Sequence, residues 1–158
     1  MDAVAGFVGE GLCVEKKGPG FAKTLQEVPM IVYAITAVIF LALDAVMLSL
    51  VMKPLFTRHL GDTMRDSPLL APAALFYLGY VAGLVYLVSV PALRDAAPER
   101  AALHGAVQGA MAYGAYEFTN LATLRGWHWH MVLTDILWGA ALTAVSAWAG
   151  LCLLRALL

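Results

Sequence analysis

Three acidic residues, Asp44, Glu117 and Asp135, lie inside long apolar runs of the sequence. An Asp at the centre of a membrane helix costs about 2.5–3.5 kcal/mol to insert. Acids in such positions usually face the interior of a helix bundle and often line a pathway for ions or protons. The apolar runs contain no Lys or Arg that would neutralise them. If the three carboxyl groups meet, they are expected to hold a shared proton or a bound cation.

The three acids are predicted to lie at one depth in the membrane. A rise of about 1.5 Å per residue puts Asp44 about 13 Å before Lys53. The same rise puts Glu117 about 12 Å before Arg125, and Asp135 about 8 Å inside the start of the last apolar run. Because the chain alternates direction, these run ends share one membrane face. We therefore expect a polar cavity that is open towards the Lys53 and Arg125 side and closed on the other.

Neutral polar residues extend this acidic layer. Tyr113, Glu117 and Asn120 share one face of a predicted helix, since they are spaced by four and three residues. Hydroxyl, amide and indole groups at the same level can orient a ligand as donors and acceptors. The candidate binding residues are Asp44, Tyr77, Tyr80, Tyr113, Glu117, Asn120, Thr123, Thr134, Asp135 and Trp138.

Composition indicates an integral membrane protein. The chain has 158 residues, of which 61% are hydrophobic and 13% charged, and its mean hydropathy is +0.77. A soluble domain averages about 45–50% apolar and about 25% charged residues. The net charge of −1 and the lack of a basic stripe predict no nucleic-acid partner. Cys13 and Cys152 lie too far apart for a metal or redox motif, and no cofactor is predicted.

Four apolar runs are long enough to cross a bilayer, at about 30–51, 68–90, 101–124 and 130–154. They predict an all-α, polytopic membrane protein with four transmembrane helices in an antiparallel bundle. Lys53-Pro54 and Pro91 are expected to end the first and second helices. Residues 1–29 are predicted to form a polar tail that lies on the membrane surface or is disordered, and residues 30–158 the transmembrane domain.

Small residues spaced by four predict where the helices pack closely. Gly79 and Gly83 form such a pair on the second helix, and Gly105 and Gly109 form one on the third. The fourth helix continues the pattern with Gly139 followed by Thr143.

The sequence gives little support for a metal site or for a hydrolase active site. His128 and His130 flank Trp129 near a run end, a spacing more typical of an interfacial pair than of a ligand set, and no metal site is predicted. The chain contains no Gly-x-Ser-x-Gly elbow, no phosphate loop and no His-Glu-x-x-His motif.

The segment 116–127, YEFTNLATLRGW, resembles the signature of a widespread bacterial inner-membrane family known only as a four-helix domain of unknown function. Segments 40–45, 74–80 and 133–139 resemble it as well, so the resemblance covers roughly 31–151. The family pattern has Asp-Leu at the Glu117-Phe118 position and Trp at the Met47 position. The resemblance implies the four-helix fold and the bacterial inner (plasma) membrane as location, and it implies no activity.

Three functions are compatible with these features. The acidic layer could bind a proton, a cation or a small polar molecule for transport, with a homo-oligomer expected because four helices make a thin pathway. The acids could instead serve as general acid and base of an intramembrane enzyme that modifies a lipid. The chain could also be a structural or accessory subunit of a larger membrane complex. In each case the lipid bilayer surrounds the helices.

Overall fold

The computed structural model describes residues 19–65 and 67–157, which are 90% helical and contain no strand. A first membrane helix consists of α1 (Pro19–Met47), a π-helical turn (Leu48–Met52) and α2 (Lys53–Leu60). A second consists of α3 (Leu70–Leu84), a π-helical turn (Val85–Ser89) and α4 (Val90–Arg94). Two uninterrupted helices follow, α5 (Pro98–Thr123) and α6 (Trp129–Leu157). The predicted all-α fold with four long helices is confirmed.

Three of the four helices are long and apolar enough to span a membrane. Their spans are Glu27–Leu60, Leu70–Arg94 and Trp129–Leu157, with mean hydropathies of 2.4, 1.9 and 1.7. The remaining helix, α5, has 26 residues and is therefore about 39 Å long. It is less apolar than the other three because it carries several glycines and polar side chains.

Both prolines that were expected to end a helix lie inside one. The first membrane helix continues past Pro54, and the second continues past Pro91, so the predicted helix ends are wrong. A π-helical turn precedes each proline; in the first, the backbone N–H of Lys53 donates to the carbonyl of Leu48, five residues earlier. A proline cannot donate to the residue four positions back, and the wider turn accommodates it without ending the helix.

The first membrane helix also begins earlier than its apolar run. The helix starts at Pro19, so the part of the predicted polar tail from Pro19 onward continues directly into the membrane helix. Residues 1–18 lie outside the described residues, and the tail remains a prediction there.

The backbones of α5 and α6 lie in direct contact. A Cβ placed on Gly109 would overlap the carbonyl oxygen of Gly139, and one placed on Gly105 would lie 3.0 Å from the carbonyl oxygen of Thr143. The predicted packing through small residues is therefore confirmed for this pair of helices. It fixes how α5 and α6 are aligned along their length.

The glycine pair of the second membrane helix behaves differently. A Cβ on Gly79 or on Gly83 would meet no described atom within 4 Å, so the prediction of close packing at this pair is wrong. The reason is that the two glycines lie on the side of α3 that faces away from Val81 and Leu84, the buried residues of this helix. Gly79 is exposed and Gly83 is half-buried.

Two apolar clusters fill the ends of the bundle. The larger one surrounds Phe40, Leu84 and Leu142, in the half that leads towards Arg94. The smaller one surrounds Trp127 at the opposite end. The space between the two clusters holds the polar layer.

Replacing Gly109 by Ala is expected to lower the thermal stability, because the new methyl group would overlap the backbone of α6. Overpacking of this kind costs about 1–3 kcal/mol. Gly79→Ala is the matched control, since its methyl group enters open space and alanine favours a helix. Melting temperatures in detergent, followed by circular dichroism, compare the two variants. Equal losses in both would contradict the α5–α6 contact.

Candidate functional site

A cavity of about 430 Å³ lies between the four long helices. Two carboxyl groups and three phenols interrupt a wall that is otherwise apolar. The lining residues are Asp44, Leu48, Met52, Phe56, Phe76, Tyr77, Ala112, Tyr113, Tyr116 and Asp135. The cavity thus combines charge-binding groups with aromatic and aliphatic surface.

The first membrane helix contributes one continuous wall. Asp44, Leu48, Met52 and Phe56 follow one another at intervals of four residues across the π-helical turn. This wall is about 18 Å long. The cavity therefore extends from the level of the acids towards the end of the helix that carries Lys53.

Tyr113 enters the cavity because Gly139 has no side chain. A Cβ on Gly139 would overlap the Tyr113 ring, so the ring lies directly against the backbone of α6. The Tyr113 hydroxyl is buried and has no hydrogen-bond partner among the described residues. The α5–α6 contact thus places an unsatisfied phenol in the wall of the cavity.

Asp44 is held from two sides. Its side chain is buried, with 3% of its surface exposed. The indole N–H of Trp138 donates to Oδ1 over 3.4 Å, and the Tyr77 hydroxyl lies beside the carboxyl group. The other oxygen, Oδ2, has no hydrogen-bond partner among the described residues.

Glu117 and Asp135 form a pair of neighbouring carboxyl groups within hydrogen-bonding reach of each other. Glu117 is fully buried, and the indole N–H of Trp127 donates to its Oε2 over 2.6 Å. Phe56 and Tyr116 hold the Trp127 ring, with ring centroids 5.3 and 5.7 Å away. Within the described part of the chain, Oε1 of Glu117 has no partner.

The three acids therefore meet in part. Asp44 and Asp135 line the same cavity, whereas Glu117 lies behind Asp135 and does not line it. Two carboxyl groups in contact, in a site shielded from water, repel each other strongly when both are charged. A proton or a cation between them relieves that repulsion.

Six of the predicted site residues are brought together by the fold. They are Asp44, Tyr77, Tyr113, Glu117, Asp135 and Trp138. Two further residues lie nearby without lining the cavity. The Tyr80 hydroxyl is hydrogen-bonded to Thr143 Oγ1 over 3.0 Å, and the half-buried Asn120 lies against the Tyr116 hydroxyl.

The other two predicted residues are not at the cavity. Thr123 is exposed, and its hydroxyl donates to the carbonyl of Thr119 over 2.8 Å. Its side chain does not line the cavity. Thr134 lines a different groove on the outer surface. Thr134 is next to Asp135 but points in another direction, whereas Thr123 lies about 9 Å along α5 from Glu117.

Some site residues were not predicted. Trp127 follows the end of an apolar run, where aromatic residues are typical of the membrane surface, yet it is buried and donates to Glu117. Phe56 and Phe76, which supply aromatic wall, carry no sequence signal beyond their hydrophobicity. Tyr116 precedes Glu117 in the sequence, and its place between Trp127 and the cavity follows from the rotation of α5.

Among residues 19–65 and 67–157, no three His, Cys, Asp or Glu side chains are grouped so that they could hold a metal ion.

Trp127→Phe is expected to destabilise the protein, because it removes the donor to a buried carboxyl group. Hydrogen bonds to charged groups contribute about 1.5–3 kcal/mol. Trp148→Phe is the matched control, since Trp148 is exposed on α6. Thermal melts in detergent should show a clear loss for the first variant and little change for the second. If both variants melt like the wild type, the Trp127–Glu117 bond contributes nothing.

Residues 29–152 match the family model described as "Predicted membrane protein (DUF2177)". The match covers more than three quarters of the chain, including all three buried acids and the residues that line the cavity. No curated protein and no solved structure matches the chain. The chain therefore belongs to the DUF2177 family of predicted membrane proteins, whose function is unknown.

Proposed function

We propose that this integral membrane protein binds an organic ammonium ion in its acid-lined cavity and exchanges it for a proton during transport. Two buried polar atoms of residues that line the cavity, and a third that lies behind its wall, carry the proposal. Asp44 Oδ2, Tyr113 Oη and Glu117 Oε1 have no hydrogen-bond partner among the described residues. Buried polar atoms are nearly always partnered, so atoms left open at one place are suited to a ligand, a proton or water.

The charge of the site selects a cation. Asp44 and Asp135 both face the cavity, and none of the described lining residues is Lys, Arg or His. An anion would meet two carboxyl groups, and no described lining residue carries a positive charge that would offset them. A cation between Asp44 and Asp135 gains charge-assisted hydrogen bonds to both.

The walls favour an organic cation over a metal ion. Five of the ten lining residues are aromatic: Phe56, Phe76, Tyr77, Tyr113 and Tyr116. Aromatic faces attract ammonium groups by about 0.5–2 kcal/mol each, most strongly where water is excluded. Calcium and magnesium ions instead require about six or more oxygen ligands. A cavity of about 430 Å³ also matches a small organic molecule better than a bare ion.

The carboxyl pair supplies the proton. Glu117 and Asp135 lie within hydrogen-bonding reach, so a single proton between them lowers their repulsion. When an ammonium ion approaches Asp135, its positive charge takes over that role. The proton can then leave, and the site keeps the same net charge throughout the exchange.

A second polar level lies on the far side of the bundle and supports a path across the membrane. Thr36, Ser89 and Ser146 are buried, and their hydroxyls have no hydrogen-bond partner among the described residues. They lie about 12–18 Å along their helices from the acid-bearing level. The Tyr80–Thr143 hydrogen bond lies between the two levels. The apolar core closes this half, so transport requires the helices to separate there.

One observation favours a second candidate function, an intramembrane enzyme that acts on a lipid. Phe76 lines the cavity and yet has 60% of its surface exposed, so a lipid could reach the cavity from the side. Glu117 and Asp135 would then act as general acid and base. This candidate predicts a chemically altered lipid and no exchange of ammonium for protons.

We further propose that the protein lies in the bacterial inner membrane and works as a homo-oligomer or within a larger complex. The resemblance of segment 116–127 supports this location. A thin bundle of four helices, one of them rich in polar residues, supports association with further helices.

Wild-type protein in detergent is expected to bind benzylammonium and not benzyl alcohol, which has the same ring without the charge. Asp44→Asn and Asp135→Asn should each weaken binding about tenfold or more, since a hydrogen bond to a charged group contributes about 1.5–3 kcal/mol. Asp95→Asn is the control, because Asp95 is exposed and paired with Arg100 over 2.6 Å, away from the cavity. Isothermal titration calorimetry measures all four proteins.

Calorimetry in two buffers of different ionisation enthalpy also counts the protons released. About one proton should leave for each benzylammonium bound, and none in Asp135→Asn. Equal affinity for benzyl alcohol and benzylammonium, or unchanged affinity in both acid variants, would overturn the proposed function.

A further inference from the structure

A second groove, of about 760 Å³, lies on the outer surface where the first membrane helix meets the start of α6. Its polar end is formed by Arg58, His59, His130 and Thr134, and its apolar end by Leu50, Val51, Pro54 and Leu55. None of these described residues lines the acid-lined cavity. The groove is therefore a separate site, with a chemistry of its own.

The polar end gathers donors of hydrogen bonds. Arg58 carries a permanent positive charge. The imidazole rings of His59 and His128 lie with their centroids 4.5 Å apart, and His130 lines the same groove. The described groove-lining residues include no Asp or Glu. Guanidinium and imidazole N–H groups together match the oxygens of a phosphate group.

The connection between α5 and α6 brings these groups together. A Cβ on Gly126 would lie 3.2 Å from the carbonyl oxygen of His59, so this connection packs directly on the end of α2. The first turn of α6 begins here, at Trp129. The backbone N–H groups of Met131 and Val132 donate to the carbonyl of His128, and the partial positive charge of the helix start adds to the attraction that the side chains exert on an anion.

The apolar end of the groove lies on an apolar stretch of the first membrane helix, so we expect it to face the hydrocarbon of the membrane. Leu50 has 72% of its surface exposed, and it lies about 12 Å before Arg58 along the same helix. Trp129 is exposed at the polar end, as expected for an aromatic side chain at the membrane surface. A polar end at the surface and an apolar end in the hydrocarbon reproduce the layout of a phospholipid. A soluble phosphate would leave the apolar end uncovered.

We propose that this groove binds an anionic phospholipid, with the phosphate group at Arg58 and the histidines and an acyl chain along Leu50 and Val51. The site is independent of the proposed cation exchange, since it shares no described lining residue with the cavity. It would seat the end of the first membrane helix against the start of α6 in a membrane that contains anionic lipid.

Native mass spectrometry of the purified protein, supplied with phosphatidylglycerol or with diacylglycerol of the same chains, tests the proposal. Wild type should retain phosphatidylglycerol and lose diacylglycerol, which has no phosphate. Arg58→Gln should reduce the retained phosphatidylglycerol about fivefold, the contribution of one basic residue near an anionic membrane surface. Arg94→Gln, an exposed arginine at the opposite end of the bundle, is the matched control and should retain as much lipid as wild type.

A second variant and a competitor keep the result unambiguous. Leu50→Asn should also reduce retention, because it places an amide where the acyl chain lies. Glycerol phosphate added in excess should not displace the lipid if the apolar end contributes to binding. Equal retention in wild type, Arg58→Gln and Arg94→Gln would overturn the proposal. Complete displacement by glycerol phosphate would overturn it too, since the groove would then be a site for a soluble phosphate.

Discussion

The backbone contact between α5 and α6 positions almost everything else in the bundle. Gly109 and Gly139 let the two helices approach until their backbones touch, and in lipid such contact is favoured by van der Waals packing rather than by a hydrophobic force. The same approach lays the Tyr113 ring on α6 and brings Glu117 beside Asp135. A helix pair held further apart would form neither the cavity wall nor the carboxyl pair.

Two of the buried acids are stabilised in this packing because aromatic side chains donate hydrogen bonds to them. Trp138 donates to Asp44 and Trp127 donates to Glu117, so one indole N–H satisfies one oxygen of each carboxyl group. Asp135 lies between these two arrangements, and its neighbour is another carboxyl group. The site is therefore stabilised on its outer sides and left open at its centre, where a proton or a cation would add the missing partner.

Hydropathy predicted the four helices, and the rise per residue predicted the depth of the acids. Helix length and depth both follow from the number of residues along the chain. Spacing shows which residues share a helix face but not which way that face points in the bundle, so Thr123 was included among the site residues although it is exposed. Pro54 was expected to end a helix, but a π-helical turn lets the helix continue past it. Such a turn depends on tertiary packing, which the sequence pattern does not reveal. Trp127 lies in a connection, where no periodicity applies, and its hydrogen bond to Glu117 follows only from the way that connection folds back.

The most direct test of the account is a flux measurement in proteoliposomes that contain a trapped pH-sensitive dye. Neutral benzylamine diffuses into protein-free liposomes and takes up a proton there, so that slow alkalinisation is the baseline. Benzylammonium added outside should alkalinise liposomes with wild-type protein faster than this baseline, because each ammonium ion that enters through the protein is exchanged for an internal proton. Asp135→Asn should fall to the protein-free rate, and Asp95→Asn should keep the wild-type rate. Equal rates in all three protein preparations, or a wild-type rate equal to that of protein-free liposomes, would contradict exchange at the carboxyl pair.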